Sequence, residues 1–176
     1  MKILEFPELR QAYNYDCGAS AIQSVLVYYG IDEEEDVIMK KAGTTKRAGT
    51  PIKRMIKTLN SYGLKCKAGP MTTEQVKKFI DKGHPVILDV QAWNEKKKID
   101  WASDWADGHY VVAIGYDSKK IYFEDPATIS RAFLTYKELE KRWHDKDTDG
   151  KKYANYGIAV YGKPVKYNIK KAVHMG

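Results

Sequence analysis

The first apolar helix of the chain is encoded in residues 16–30, DCGASAIQSVLVYYG. From Ile22 to Tyr29 the apolar residues recur at i, i+3, i+4 and i+7, which predicts an α-helix with one apolar stripe that ends at Gly30. Cys17 stands where this helix begins. The free N–H groups and the dipole of a first helical turn favour a thiolate, which is the nucleophilic form of cysteine. This position predicts either a reactive cysteine or a small apolar residue packed under the helix.

Start and stop signals predict further helices in the first half of the chain. Thr72 and Gln75 have the spacing of a capping box, in which each side chain bonds the backbone N–H of the other residue. The acidic run at 32–36 lies where negative charge stabilises the N-terminus of a helix. The predicted helices lie around Val37–Ala42, from Thr50-Pro51 up to Gly63, and from Thr72 up to Gly83.

The second half changes from helical periodicity to short, nearly continuous apolar runs, which are typical of buried strands. The predicted strands are 85–90, 109–116, 120–125 and 156–161, and the middle two form a hairpin across the turn at 117–119. A short helix is expected between Thr135 and Trp143, and the polar segment 94–107 is predicted to be a loop. Helices followed by strands indicate an α+β fold rather than alternating β-α-β units.

Length and composition indicate one domain. A chain of 176 residues with 43% hydrophobic and 12% aromatic residues can bury a real core. It has no apolar run of the roughly 18–20 residues that a membrane helix needs, so no membrane span is expected. The charged N-terminus lacks the apolar core of a signal peptide. We therefore expect a cytoplasmic protein.

The net charge of +7 comes from one end of the chain. Residues 151–176 contain six lysines and no acidic residue, and without those six the chain has 24 basic and 23 acidic residues. A domain that binds nucleic acid usually has a basic face on its body, so no specific nucleic-acid partner is expected. We predict a domain at 1–162, followed by a lysine-rich end at 163–176 that is only partly ordered.

The sequence contains none of the common cofactor motifs. Its two cysteines form no C-x-x-C pair, and its four histidines lack the H-E-x-x-H spacing of a zinc enzyme. It also lacks the phosphate-binding G-x-x-x-x-G-K-[ST] loop and the dinucleotide-binding G-x-G-x-x-G turn. We therefore predict neither a metal nor an organic cofactor.

A cysteine nucleophile needs a base and a group that orients the base. His109 follows Gly108 at the start of one predicted strand, and Asp125 ends the next strand before a proline. If the two lie at facing ends of an antiparallel hairpin, the aspartate can accept from the imidazole and fix its tautomer. Taken alone, His109 is as well explained as a structural histidine, and Asp125 as a turn residue.

Two residues near the cysteine have possible roles of their own. Gln11 lies six positions before Cys17, and its amide could stabilise an oxyanion together with the Cys17 backbone N–H. By itself, a glutamine in a polar segment carries no functional meaning. Gly18 is expected to let the backbone approach a substrate closely.

Three tryptophans lie in or next to the predicted loop at 94–107, shortly before His109: Trp93, Trp101 and Trp105. They could form a wall of a substrate cleft, or they could serve as ordinary packing and cover. Of the two interpretations, packing is favoured.

The combination of these residues is more specific than its parts. In order and spacing it resembles the papain-like cysteine peptidases that cut double-glycine leaders from bacteriocin precursors. The matching motifs are Gln11-Ala-Tyr-Asn-Tyr-Asp16-Cys17-Gly18-Ala19, Gly108-His109-Tyr110-Val111-Val112 and Asp125-Pro126. The resemblance covers most of residues 8–162. It includes the helix that follows the cysteine and the strand that follows the histidine.

This resemblance implies a role for each matching residue. Cys17 corresponds to the nucleophile, His109 to the general base, Asp125 to the residue that orients the imidazole, and Gln11 to the oxyanion-hole residue. The implied fold is papain-like, with an N-terminal helical lobe packed on a twisted antiparallel sheet. The implied reaction is hydrolysis of a peptide bond in a peptide or protein substrate through a thioester, without a metal or organic cofactor. Because no membrane helices or ATPase domain follow, the stand-alone form is expected, and its substrate need not be a double-glycine leader.

Other functions remain open at this point. The same thioester could be resolved by an amine, as in a transpeptidase, or could arise from an amide in a deamidase. A catalytically silent peptide-binding module is a further alternative, although it has no need to keep all four residue types. The protein could also bind polyanions through its lysine-rich end. Such binding would depend strongly on salt and would not require Cys17.

Overall fold

The computed structural model describes residues 1–95, 98–165 and 174. Within them the chain forms five helices and nine strands. In chain order these are β1 (Lys2–Ile3), α1 (Cys17–Tyr28), α2 (Glu35–Ala42), α3 (Ile52–Ser61), β2 (Lys65–Pro70), α4 (Thr73–Asp81), β3 (Val86–Gln91), β4 (Gly108–Tyr116), β5 (Lys120–Glu124), β6 (Ala132–Thr135), α5 (Tyr136–Arg142), β7 (His144–Lys146), β8 (Lys152–Ala154) and β9 (Tyr156–Tyr161).

The strands of the described residues form one large antiparallel sheet and one small hairpin. The large sheet has seven strands in the order β2-β9-β3-β4-β5-β6, and β1 pairs with the far end of β4. The second sheet consists of β7 and β8 alone. The helices of the first half lie beside an antiparallel sheet, so the predicted α+β class is confirmed.

The core lies between α1 and the centre of the large sheet. All six residues of β3 are buried, as expected for a strand with neighbours on both edges and cover on both faces. The apolar stripe of α1, from Ile22 to Leu26, is fully buried. This packing fixes the start of α1 against β4, the strand that carries His109.

The helix boundaries follow the signals in the sequence. The Thr72 side chain accepts from the Gln75 backbone N–H at 3.2 Å, and Gln75 Oε1 accepts from the Thr72 N–H at 2.8 Å, so the predicted capping box is present. A second box between Thr135 and Glu138 starts α5. None of the helices in the described ranges has the length and apolar character that a bilayer crossing requires.

Several short strands lie outside the predicted pattern. The helical first half also contains β2 and the two-residue β1, which pairs with Gly115 and Tyr116, and the second half also contains β6 and the β7–β8 hairpin. All of them except β2 have two to four residues, too few for an alternating pattern to emerge in the sequence. Four of the six residues of β2 are exposed, so this strand has no apolar run. Most of the predicted lysine-rich end at 163–176 lies outside the described residues, and its division from the domain stays a prediction.

Candidate active site

Cys17 is the first residue of α1, and the turn before it is held by a buried carboxyl. Asp16 is fully buried, and its Oδ1 and Oδ2 accept from the Tyr13 backbone N–H at 3.1 and 3.0 Å. Burial raises the pKa of Asp16, and the backbone hydrogen bonds offset part of that rise. The closed turn fixes Cys17 at the helix N-terminus, where backbone N–H groups are free.

His109 and Asp125 meet at one end of the β4–β5 hairpin. His109 is the second residue of β4, and Asp125 directly follows β5, which pairs antiparallel with β4. The His109 Nε2 atom lies 2.7 Å from Asp125 Oδ1, and both residues are buried. The facing-ends arrangement expected from the sequence is therefore present.

The Asp125 carboxyl is held by two further donors. Its Oδ1 also accepts from the Ala127 backbone N–H at 2.9 Å, and its Oδ2 accepts from the Trp93 indole Nε1 at 3.0 Å. Trp93 has a φ of +58°, a left-handed conformation that is uncommon for a bulky residue. Asp125 thus has a fixed orientation toward His109.

The electrostatics of His109 link it to Cys17. Burial disfavours the imidazolium, but hydrogen bonds to Asp125 and Cys17 and the attraction of both groups outweigh it and raise the pKa of His109 to about 10. With Nε2 on Asp125, Nδ1 is the ring nitrogen left for Cys17. At neutral pH this arrangement favours a charged imidazolium beside the cysteine sulfur.

Gln11 joins the group through its backbone. Its N–H donates to the Pro126 carbonyl at 3.0 Å, which ties the N-terminal segment to the turn after Asp125. Its side-chain Nε2 donates to the Tyr13 carbonyl, and its Oε1 is buried without a hydrogen-bond partner among the described residues. Asp125 thus contacts His109 directly, Cys17 lies close enough to raise the pKa of His109, and a main-chain bond ties Gln11 to the turn after Asp125.

Gly18 has a different role from the expected one. It is buried, and a Cβ there would lie 2.6 Å from Thr50 Cβ and 3.0 Å from the ring of Tyr110. The missing side chain makes room for protein atoms, not for a substrate. Gly18 therefore allows α1 to pack closely against the loop before α3 and against β4.

A cleft of about 870 Å³ opens beside Cys17. Its lining residues come from the segment around Cys17, the loop before α3, the start of β4 and the β7–β8 hairpin; they include Cys17, Thr50, Asp89, Trp105, Tyr110 and Asp145. The sequence motifs assign no role to Asp89 or Asp145. For Asp89 the sequence contains a signal, a charged residue inside an apolar run, whereas Asp145 is placed by the β7–β8 hairpin, which has no such local signal.

The three loop tryptophans separate into different environments. Trp105 lines the cleft, and Trp93 bonds Asp125. Trp101 lies under the Arg142 guanidinium, 4.0 Å from it to the ring centroid. Packing is thus the right description for Trp101, whereas the other two belong to the surroundings of the site.

The model of the Peptidase_C39 like family matches residues 3–169 of the chain. The chain belongs to this family. Its enzyme class is therefore that of a cysteine-type peptidase, as the sequence motifs indicated. Among curated proteins, no sequence matches this C39-like chain.

Solved structures of C39 peptidases share the fold of this chain. A double-glycine-motif protease from an AMS/PCAT transporter, solved with its leader peptide, has a TM-score of 0.66 at 20% identity, over 93% of this chain and 95% of that one. A C39-like peptidase from Bacillus anthracis has a TM-score of 0.66 at 14% identity, over 94% and 100% of the two chains. The peptidase domain of Streptococcus ComA, a bi-functional ABC transporter involved in quorum sensing, has a TM-score of 0.60 at 15% identity, over 92% and 98%. The predicted papain-like fold is confirmed.

Proposed function

We propose that this C39-like chain hydrolyses a peptide bond in an extended peptide or protein segment through a thioester on Cys17. His109 acts as general base and acid, Asp125 orients its imidazole, and Gln11 contributes to the oxyanion hole. The observation that carries the proposal is the 2.7 Å contact between His109 and Asp125, beside a Cys17 that is close enough to raise the pKa of His109.

The proposed reaction starts with a proton on His109. Cys17 Sγ attacks the carbonyl carbon, the C–N bond breaks, and His109 gives its proton to the leaving amine. A water then attacks the thioester carbonyl while His109 takes up one of its protons, which releases the acid product and restores the thiolate–imidazolium pair. No metal or organic cofactor takes part in these steps.

The oxyanion of each tetrahedral intermediate needs donors at the helix start. The Cys17 backbone N–H lies in the first turn of α1, where N–H groups have no partner within the helix. The Gln11 amide has two N–H hydrogens, of which the Tyr13 carbonyl accepts one. The second is available to an oxyanion and makes Gln11 the side-chain donor in this proposal.

The cleft beside Cys17 supports a peptide substrate. Its volume of about 870 Å³ is ample for several residues of an extended segment, and its walls come from both the helical lobe and the β-sheet side. A related fold was solved with a leader peptide bound. We further expect the protein to act in the cytoplasm, where reducing conditions keep the Cys17 thiol free.

Peptide-library cleavage tests this function. A library of peptides from a proteome digest is incubated with wild type, Cys17→Ala, His109→Ala and, as a matched control, Cys66→Ala. We expect new termini with wild type and Cys66→Ala, at a shared sequence pattern, and none with the other two. Product masses that show the addition of water indicate hydrolysis. Product masses that show the addition of an amine would indicate acyl transfer instead. Undiminished cleavage by Cys17→Ala would overturn the proposal.

A further inference from the structure

Two carboxyls lie in the wall of the cleft that Cys17 also lines. Asp89 comes from the middle of β3, and Asp145 comes from β7. Asp89 is only 6% exposed and pairs in register with Tyr110, the residue after His109. A charged residue at the centre of a fully buried strand is costly unless a partner compensates it.

One oxygen of Asp89 lacks such a partner. Its Oδ1 is buried and has no hydrogen-bond partner among the described residues, although the carboxyl as a whole interacts with Tyr110 and Asp145. Leaving a buried acceptor unsatisfied costs free energy, so the position favours a ligand that donates to it. This oxygen belongs to a residue that lines the cleft.

Asp145 is held in place by fixed contacts. Its Oδ1 accepts from Gln91 Nε2 at 2.9 Å, and the same amide donates to the His144 carbonyl at 2.9 Å. Its carboxyl also fills the space that a side chain at Gly108 would need. The pair is therefore a built feature of the cleft rather than two mobile surface acids.

A bound cation would favour the ionised form of the pair. Burial and the proximity of Asp145 raise the pKa of Asp89 well above its usual range, and burial also raises the pKa of Asp145. An opposite charge beside the two carboxyls lowers both pKa values again, so binding of a cation and ionisation of the pair support each other. The cleft lining also contains five basic residues, all of them exposed: Lys46, Arg47, Lys53, Lys146 and Lys151. In the described ranges no lysine or arginine forms an ion pair with either carboxyl, and the attractions on the pair come from His109 for Asp89 and from His144 for Asp145.

We propose that Asp89 and Asp145 form a subsite for a cationic group of the substrate, a lysine or arginine side chain or an N-terminal amine. The inference rests on the proposed peptidase function. Because the pair and Cys17 line one cleft, this group lies within a few residues of the scissile bond. An ammonium or guanidinium supplies several N–H donors, which suits two neighbouring carboxyls, one of which has an unsatisfied oxygen. With this subsite, the protein selects its peptide substrates by the charge of one group as well as by their extended backbone.

A charge-swap series tests the subsite. A peptide cleaved in the library experiment is resynthesised with arginine, citrulline, lysine or norleucine at each position around the scissile bond, with a free or an acetylated N-terminus. We expect one position where wild type prefers arginine over citrulline, or lysine over norleucine, by about tenfold or more in kcat/KM. If the cation is the N-terminal amine, acetylation instead lowers kcat/KM by a similar factor.

Two aspartate variants assign that preference to the pair. In Asp89→Asn and Asp145→Asn the ratio falls toward one, whereas Asp149→Asn, which removes the same charge from an exposed position of the cleft, leaves it unchanged. The ratio compares two substrates in one protein sample, so a partly unfolded variant does not distort it. An equal ratio in wild type and Asp89→Asn overturns the subsite, and so does activity that requires an added divalent cation.

Binding to Cys17→Ala separates this inference from the proposed function. Fluorescence anisotropy of arginine and citrulline peptides on this variant needs no turnover. Tighter binding of the arginine peptide to Cys17→Ala, lost in the double variant with Asp89→Asn, supports the subsite. If wild type then cleaves no peptide, only the proposed function fails. Equal affinities overturn the subsite even if cleavage is observed.

Discussion

Trp93 donates its indole N–H to Asp125 Oδ2 over 3.0 Å, on the carboxyl whose other oxygen lies 2.7 Å from His109 Nε2. The loop before β4 thereby reaches back to the residue that follows β5. The bond limits rotation of the carboxyl. Trp93 therefore acts as a positioning residue for Asp125.

Trp93→Phe keeps the ring and removes the donor. We expect kcat to fall by about threefold to tenfold with little change in KM, because substrate binding does not use this bond. Steady-state kinetics on a cleaved library peptide measure it. Trp101→Phe, from the same loop, is the matched control and should stay near wild type; an equal loss in both variants would contradict the positioning role.

The raised pKa of His109 predicts an upper limit for activity. The imidazolium must give a proton to the leaving amine, so kcat/KM should hold to about pH 9 and fall as the pH rises through about 10. Asp125→Asn removes an ionised partner that raises this pKa, and its upper limb should move to lower pH. Asp125→Ala should also retain more activity than His109→Ala or Cys17→Ala. If the activity of wild type and of Asp125→Asn falls at the same pH, Asp125 does not raise the pKa of His109, which would contradict its proposed role.

Gln11→Ala tests the oxyanion hole. If the amide meets charge that develops only in the transition state, kcat should fall by on the order of 100-fold while KM changes little. Single-turnover kinetics exclude product release as the cause. A raised KM with unchanged kcat would make Gln11 a residue that binds the ground state of the substrate.

Much of the fold can be predicted from local sequence signals, but the short strands cannot. The helix from Cys17 and the capping box at Thr72 are set by residues within a few positions of one another, so they can be predicted. β1 exists only because Lys2 and Ile3 lie next to Tyr116 and Gly115, more than one hundred positions away. Such pairing depends on the completed sheet and leaves no local pattern.

The candidate site divides in the same way. Cys17, His109 and Asp125 stand at the ends of strong elements, where their roles could be hypothesised from sequence. Trp93 and Asp145 gain their partners from loop and hairpin conformations that only the assembled chain provides. Asp89 differs from both, because a charged residue inside an apolar run is a local signal that the sequence itself contains.

Glu124 predicts a dependence of stability on pH. Its Oε1 accepts from the Leu9 backbone N–H at 3.2 Å and its Oε2 from Ser24 Oγ at 3.1 Å, but burial outweighs both and raises its pKa to about 8. The folded state holds this proton more tightly than the unfolded state, where the pKa is 4.5, so the stabilisation is complete below 4.5 and is lost as the pH rises through about 8.

Glu124→Gln replaces the protonated form by a neutral isostere. From pH 5 to pH 9 the melting temperature of wild type should fall relative to that of Glu124→Gln by several degrees, which corresponds to a few kcal/mol. Scanning calorimetry at matched ionic strength measures it. Glu74→Gln, at an exposed position, should parallel wild type. If the two glutamine variants show the same pH dependence, Glu124 is ionised in the folded protein.

The reactivity of Cys17 tests the thiolate–imidazolium pair most directly. Intact-mass analysis with limiting iodoacetamide across pH 5–9 compares wild type, Cys17→Ala and His109→Ala. Cys66 serves as the internal reference, because burial raises its pKa to about 11. We expect fast single labelling at Cys17 well below pH 8, absent in Cys17→Ala and strongly slowed in His109→Ala. Labelling of Cys17 no faster than an ordinary thiol of pKa about 8.5, and unchanged without His109, would contradict the pair and the mechanism built on it.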